Sequence, residues 1–195
     1  MELTVNDLPR DIPPLAAKAQ AIADEAGFLL SCESRTGGLL RTLAAAKPGG
    51  RILEVGAGVG VGTAWLLAGM DDQATLVTLE IDEEAADIVR RLFAAEPQVE
   101  VVHEDATAWL ETYAGPPFDL VFVDTTVTKF DRRELLLRHM APGALLVADD
   151  LVPGPTWTAA HPARVERFLD ELPREPALVT TLMTWASGLA VAARR

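Results

Sequence analysis

Short apolar segments alternate with helical patterns along most of this chain, and this alternation limits its fold more than any other feature. Short, mostly apolar runs are typical of strands that are buried on both faces of a parallel sheet. The helical patterns between them indicate crossover connections, which parallel strands require. We therefore predict parallel strands at Arg51–Val55, Thr75–Glu80, Val99–His103, Asp119–Asp124 and Ala144–Asp149.

The C-terminal part of the chain follows a different pattern. Two further apolar runs, Ala177–Thr184 and Gly188–Ala192, are separated by too few residues for a helical crossover. Strands joined in this way pair as a hairpin, so the last strand is expected to be antiparallel. The sequence thus predicts an α/β protein with a doubly wound, seven-stranded, mostly parallel sheet. In such sheets ligands bind beyond the carboxyl ends of the strands.

Composition excludes several classes of protein. The formal net charge is −12 and basic residues come singly or in pairs, so nucleic acid is not expected as a partner. No segment of about 18 residues is free of charge, so no membrane partner is expected either. The first residues lack a signal-peptide pattern, and the single cysteine, Cys32, excludes an internal disulfide. We therefore expect a cytoplasmic protein, whose acidity suits a cationic ligand or a metal ion.

A glycine-rich loop follows the first predicted strand. The segment Glu54–Gly62 reads E-V-G-A-G-V-G-V-G, with glycines at alternate positions. Glycine lets the backbone turn sharply and approach a ligand closely, and the helix that follows offers free N–H groups. The dinucleotide spacing G-x-G-x-x-G does not fit, because its third glycine position falls on Val61 or Thr63. A nicotinamide-dependent oxidoreductase is therefore the alternative function. The structural alternative is that the loop is a tight strand-to-helix turn that binds no ligand.

Acidic residues stand near the ends of the later strands. Glu80 ends the second strand about 20 residues beyond the loop, where a carboxylate can accept hydrogen bonds from ribose hydroxyls. Asp105 precedes a helix, so it can cap that helix or accept a bond from an exocyclic amine. Asp124, Asp149 and Asp150 follow strands that should be neighbours in the sheet, so their carboxylates could converge.

Taken together, these segments resemble the class I S-adenosylmethionine-dependent methyltransferases. The loop, Glu80 and the H-E-D-A segment carry that likeness. Three later segments are similar to the catechol and caffeoyl-CoA O-methyltransferase group: F-D-L-V-F-V-D ending at Asp124, A-L-L-V-A-D-D-L-V-P-G over Ala144–Gly154, and S-G-L-A-V-A over Ser187–Ala192. The resemblance implies a Rossmann-like methyltransferase fold, with residues 1–47 as a helical cover of the site and residues 48–195 as the core. It also implies a homodimer.

The resemblance implies S-adenosylmethionine as the cofactor and assigns its contacts. The expected contact residues are Glu54, Gly56, Ala57, Gly58, Gly60, Gly62, Glu80, Ile81, Asp105, Ala106 and Asp124. In this set Glu80 holds the ribose hydroxyls, Asp105 and Ala106 border the adenine, and Glu54 orders the loop.

The resemblance further implies a divalent cation, Mg²⁺ or Ca²⁺, with Asp124, Asp149 and Asp150 as its ligands. Such a cation would lower the pKa of a substrate hydroxyl. Two positions depart from the family pattern. Asp150 stands where the family usually has Asn, and Val127 stands where it has a catalytic lysine, so the nearest lysine is Lys129, two residues later.

We therefore expect O-methylation of a small hydroxylated acceptor, with or without metal assistance. The candidate catalytic residues are Asp124, Lys129 and His161. A loop would have to bring Lys129 inward, and His161 is a candidate base because imidazole exchanges a proton near neutral pH. The alternative for each of these two residues is a solvated side chain without a catalytic role. A cofactor-binding module without turnover also stays open, because Val127 replaces the family lysine.

Overall fold

A single twisted sheet forms the centre of the molecule. The computed structural model describes residues 7–154 and 157–195, and in this part of the chain the strands are β1 (Arg51–Val55), β2 (Thr75–Glu80), β3 (Val99–His103), β4 (Phe118–Val123), β5 (Met140–Ala148), β6 (Leu178–Met183) and β7 (Leu189–Arg194). Their order is β3-β2-β1-β4-β5-β7-β6. Strands β1 to β5 pair in parallel, and β7 is antiparallel to both β5 and β6. The predicted doubly wound sheet with an antiparallel last strand is confirmed.

Helices cover both faces of the sheet. They are α1 (Pro14–Ala26), α2 (Ser34–Ala45), α3 (Val61–Leu67), α4 (Glu83–Leu92), α5 (Ala106–Thr112), α6 (Arg133–Arg138) and α7 (His161–Glu171). Helices α1 to α4 pack on one face and α5 to α7 on the other. None of these helices is both long and apolar enough to cross a bilayer.

Side chains point alternately to the two faces of the sheet along each strand, and they form a hydrophobic core on each face. In β4, Val121 and Val123 face the α5–α7 side, whereas Leu120 and Phe122 face the α1–α4 side. Successive side chains of a strand point to opposite faces, so a strand covered on both sides is apolar throughout. This arrangement leaves the carboxyl ends of β1, β2, β4 and β5 at one edge, where the strand order reverses on either side of β1.

The sequence predicts a second helix over Leu39–Ala46, whereas α2 begins five residues earlier, at Ser34. Its Gly37 lies under the indole of Trp65, where an added Cβ would overlap the ring. The glycine therefore lets α2 and α3 approach closely. The division at residues 47 and 48 stays a prediction, and residues 1–6 of the predicted cover lie outside the described residues.

A π-helical turn over Val127–Asp131, which was not predicted from the sequence, connects β4 to α6. Turns of this kind are rare and occur mostly as single turns, frequently at functional sites. This one buries Thr128, Lys129 and Phe130 while Val127 stays exposed. The turn therefore decides which side chains after β4 point into the molecule.

Candidate active site

The glycine-rich loop joins β1 to α3 and is fixed to the neighbouring strand. The N–H groups of Gly56 and Ala57 both donate to the Leu79 carbonyl, at 2.9 and 3.1 Å. Gly60, directly before α3, has a φ of 92°, which residues with a side chain rarely adopt. A Cβ at Gly60 would also lie 2.9 Å from the Phe93 ring. The alternating glycines thus let the loop turn back against β2 at the switch point of the sheet.

Glu80 lies under this loop, and backbone N–H groups orient its carboxylate. Gly58 donates to Oε2 at 2.7 Å, while Ile81 and Asp82 donate to Oε1 at 2.9 and 3.0 Å. A carboxylate oxygen accepts about two hydrogen bonds, so Oε2 has one place left for a hydroxyl. The geometry suits the predicted ribose contact, which stays a prediction.

The predicted adenine contacts lie beside Glu80, at the ends of β2 and β3. Ile81 is exposed, and Ala106 is the first residue of α5. The carboxylate of Asp105 accepts a hydrogen bond from the Ala108 N–H at 2.9 Å, so this residue caps the helix. The cap is one of the two roles that the sequence allowed for Asp105, and the adenine contact remains a prediction.

Glu54 is fully buried at the base of the loop. Its Oε2 accepts hydrogen bonds from the hydroxyls of Thr63, at 2.5 Å, and Thr78, at 2.6 Å, which link β1 to α3 and β2. Its Oε1 has no partner and lies beside Gly62, where any Cβ would overlap it. Burial raises the pKa of Glu54 to about 7. The residue can therefore change its charge near neutral pH.

Glu54→Gln is expected to flatten the dependence of stability on pH. Because the pKa of Glu54 rises from 4.5 in the unfolded chain to about 7 in the folded protein, the folded state holds the extra proton between these values. The native protein then loses stability as pH rises through this window, by on the order of 3 kcal/mol, and this contribution levels off above pH 7. Urea unfolding at pH 5, 6, 7 and 8 measures the difference, with Glu100→Gln at an exposed carboxylate as the control. Parallel profiles for Glu54→Gln and the native protein would contradict the expectation.

The segment between α1 and α2 covers the loop. Leu30, Ser31 and Cys32 enclose a cavity of about 10 Å³ between themselves and the residues Glu54, Gly56 and Asp124. A cavity of this size holds about one water molecule, so it is too small to take part of a cofactor unless the segment moves. Cys32 is buried, and burial raises the pKa of its thiol well above the usual value, which disfavours a reactive thiolate.

Lys129 reaches the site through the π-helical turn. Its side chain is 2% exposed, whereas Val127, at the position of the family lysine, is 50% exposed. The Lys129 Nζ donates to the Asp149 carbonyl at 2.5 Å and lies 4.0 Å from Asp124 Oδ1. The structure therefore buries the lysine in the site and does not leave it in solvent.

Two carboxylates lie next to this ammonium. Asp149 accepts hydrogen bonds from the Ser187 hydroxyl and from the Asp150 N–H, the latter at 2.7 Å. Burial and the charge of Asp124 raise the pKa of Asp149 to about 7. Burial also raises the pKa of Asp124, while Lys129 opposes this shift. The site thus concentrates more negative charge than its one lysine balances.

Asp150 and His161 form the next part of the wall. Asp150 has a φ of 61°, a left-handed conformation that Asn and Asp tolerate better than most residues. Its Oδ1 accepts a hydrogen bond from Trp157 Nε1 at 2.8 Å, and its Oδ2 lies 3.5 Å from His161 Nε2. The His161 ring packs against Trp157 and Phe130, at centroid distances of 4.4 and 5.3 Å, and its Nε2 has no hydrogen-bond partner. Trp157 thus anchors the segment after β5.

The predicted metal ligands fit a divalent cation in their chemistry. Three carboxylates face one ammonium, and Mg²⁺ and Ca²⁺ prefer oxygen ligands. In residues 7–154 and 157–195, however, no set of three or more His, Cys, Asp or Glu side chains is arranged to hold a metal ion. Asp149 is directed to Ser187, and Asp150 to Trp157. Asp150 Oδ2 accepts none of these hydrogen bonds, but the three carboxylates are not gathered around one point, so the metal role of Asp124, Asp149 and Asp150 remains a prediction.

These side chains surround a second cavity of about 750 Å³. Its wall includes all the predicted catalytic and metal-binding residues, Asp124, Lys129, Asp149, Asp150 and His161. The cavity also contains residues that the sequence analysis did not select: Leu29, Leu30, Ser31, Thr125, Arg164 and Ser187. The serine stands in the S-G-L-A-V-A segment, which could have identified it. No sequence signal marked Arg164. The proline-rich segment Pro153–Pro162 is predicted from its sequence to overhang the substrate pocket, and its Pro155 and Thr156 lie outside the described residues.

Comparisons with known proteins agree with this geometry. Residues 53–151 match the methyltransferase domain family. The catechol O-methyltransferase of Mycobacterium tuberculosis is 35% identical over 149 residues, which are 74% of this chain and 67% of that protein. An O-methyltransferase from Bacillus cereus, solved in complex with S-adenosylhomocysteine, has a TM-score of 0.82 and 25% identity, covering 96% of this chain and 92% of the other.

A second solved structure carries the cofactor itself. The O-methyltransferase TomG from Streptomyces achromogenes, involved in tomaymycin synthesis, was solved with S-adenosylmethionine and has a TM-score of 0.82 and 26% identity, covering 96% of this chain and 91% of that one. The alternative of a nicotinamide-dependent oxidoreductase is not favoured by these likenesses. From its sheet, its glycine loop and these relatives, the chain belongs to the methyltransferase domain family, as a class I S-adenosylmethionine-dependent O-methyltransferase.

Proposed function

We propose that this protein methylates a hydroxyl group of a small aromatic acceptor held in the 750 Å³ cavity. One observation carries the proposal. Asp124, Leu30 and Ser31 line both this cavity and the small cavity at the glycine loop, so the two meet at the end of β4. A methyl donor at the loop and an acceptor in the larger cavity would then face each other across Asp124. The name of the Mycobacterium tuberculosis relative supports a catechol-like acceptor.

Lys129 is the residue best placed to take the hydroxyl proton. Its buried Nζ is fixed by the Asp149 carbonyl and lies beside Asp124, at the wall of the acceptor cavity. The Lys129 ammonium would first release a proton to solvent, and its amine would then accept the hydroxyl proton. S-adenosylmethionine bound at the loop would supply the methyl group, so that the C–O bond forms as the C–S bond of the sulfonium breaks and S-adenosylhomocysteine leaves. Fixing both reactants in line supplies much of the rate.

Metal assistance is the finer part of the proposal. Asp124, Asp149 and Asp150 would hold the cation, which would acidify the acceptor hydroxyl when bound. The excess of carboxylates over ammonium groups at this wall supports it. A homodimer and a cytoplasmic location, both expected from the sequence, also stay predictions.

Asp150→Ala is expected to weaken cation binding at least tenfold, because it removes one of three oxygen ligands. Calorimetric titration of Mg²⁺, and then of Ca²⁺, into protein loaded with S-adenosylhomocysteine measures this. Trp157→Phe is the matched variant, since it keeps an aromatic ring but removes the N–H that binds Asp150 Oδ1, and it should bind the cation at least as tightly. An absence of saturable binding in the native protein would end the metal role of the three aspartates.

Turnover tests the reaction itself. The native protein, S-adenosylmethionine and catechol should yield S-adenosylhomocysteine and the mono-methyl ether in equal amounts. The proposal is wrong if 1,2-diaminobenzene or a thiol is methylated and catechol is not. If the cofactor binds but no acceptor of any class is methylated, the protein is a binding module without turnover.

A further inference from the structure

The side chains that line the acceptor cavity become more exposed from the base of the cavity to its mouth. Side-chain exposure rises from 2% at Lys129 to 10% at His161 and 39% at Arg164. His161 and Arg164 are three residues apart in α7, so they lie on the same face of the helix, about 5–6 Å apart at Cβ. An acceptor whose hydroxyl lies at Lys129 would therefore pass His161 and direct its far end toward Arg164.

The charge of Arg164 is only partly neutralised. Its Nη2 lies 3.4 Å from Asp131 Oδ2, outside a normal hydrogen bond, whereas Arg167 Nη2 donates to Oδ1 of the same carboxylate at 2.8 Å. Asp131 therefore serves two guanidinium groups and is better placed for Arg167. Arg164 is therefore the less closely paired of the two guanidinium groups, and its side chain lines the cavity.

Other charged side chains of the cavity wall have partners of their own. Lys129 is bound at the base by the Asp149 carbonyl, and Glu33 lies 3.6 Å from Arg35. Asp150, between base and mouth, accepts a hydrogen bond from Trp157. Among the described residues that line the cavity, Arg164 is thus the guanidinium group at the mouth.

We propose that Arg164 binds a carboxylate on the acceptor, so that the preferred substrates are hydroxylated aromatic acids. A guanidinium group can donate two parallel hydrogen bonds to a carboxylate, which fixes orientation as well as adding binding energy. The acid would replace the long contact to Asp131, while Arg167 keeps that aspartate paired. This inference rests on the proposed function, since it assumes that the acceptor hydroxyl lies at Lys129.

The test compares two ligands that differ only in the charged group. Affinities of 3,4-dihydroxybenzoate and 3,4-dihydroxybenzyl alcohol are measured by calorimetry on protein loaded with S-adenosylhomocysteine, and the ratio of the two constants is followed. Arg164→Ala should reduce the preference for the acid at least tenfold. Arg167→Ala, which also removes a partner of Asp131 but does not line the cavity, should change it less than twofold.

The outcomes separate the inference from a structural role. An unchanged ratio in Arg164→Ala, or an equal loss in Arg167→Ala, would overturn it and assign both residues to an ion-pair network around Asp131. Methylation of catechol, which lacks the carboxylate, and of 3,4-dihydroxybenzoate is measured in the native protein alongside. If neither is methylated but the ratio still depends on Arg164, the proposed function fails and only the binding of the acid at Arg164 stands.

Discussion

Lys129→Met should lower kcat for methyl transfer by about 10²–10⁴-fold, the usual contribution of a general acid–base group. Methionine has a similar length but cannot accept the hydroxyl proton. The affinity for S-adenosylmethionine should change less than threefold, because Lys129 lines the acceptor cavity and not the cavity at the glycine loop. Stopped assays with catechol measure kcat, and calorimetry measures cofactor affinity.

Two further variants distinguish a role of Lys129 as the general base from a structural role. One removes a lysine elsewhere, and the other moves the lysine by two positions. Lys47→Met removes a half-buried lysine outside both cavities that bonds to the Gly143 carbonyl, and it should leave kcat within twofold. The double change Val127→Lys with Lys129→Val returns the lysine to the family position, which is exposed here. It should not restore activity, because the π-helical turn directs position 129 inward. Near-native kcat in Lys129→Met would exclude Lys129 as the base and leave His161 as the candidate.

Glu80→Ala is expected to weaken S-adenosylmethionine binding by about 10- to 100-fold. Hydrogen bonds to a charged group contribute roughly 1.5–3 kcal/mol, and the change removes both the ribose acceptor and the anchor of the Gly58 N–H. Calorimetric titration of the cofactor measures the effect. Acceptor-dependent kcat at saturating cofactor should fall far less than the affinity does.

Asp82→Ala is the matched control for Glu80. Asp82 is two residues away and accepts the Ala85 N–H at 2.8 Å as the cap of α4. Its removal should lower the free energy of unfolding by about 1 kcal/mol while cofactor affinity stays within threefold. If Asp82→Ala weakens cofactor binding as much as Glu80→Ala does, the effect of Glu80 is structural and the ribose assignment is wrong.

Most of the sheet could be predicted because its signals are local. A buried parallel strand is apolar throughout, and the short connection after β6 requires a hairpin, so the directions of the strands followed from the pattern, whereas the order was not predicted. The start of β5 was harder to predict. The strand begins at Met140 and contains Pro142 and Gly143, residues that usually indicate a turn, and it accommodates them through a register shift against β4.

The residues of the site also differ in how far their positions could be predicted from the sequence. Glu80 and the loop glycines were predictable because they follow strand ends at a fixed spacing. The position of Lys129 was not, because a π-helical turn has no simple sequence signature and the inward direction depends on packing around Phe130. Arg164 gave no signal, since its role depends on a carboxylate that it shares with Arg167.

A single-turnover experiment follows the transferred methyl group itself. Native protein in excess is mixed with S-adenosylmethionine carrying a deuterated methyl group and with catechol, and the products are resolved by mass spectrometry. We expect the label to move to a catechol oxygen, with one S-adenosylhomocysteine formed for each methyl ether. Cofactor that stays bound and intact, or label found only on amine or thiol acceptors offered in parallel, would contradict it.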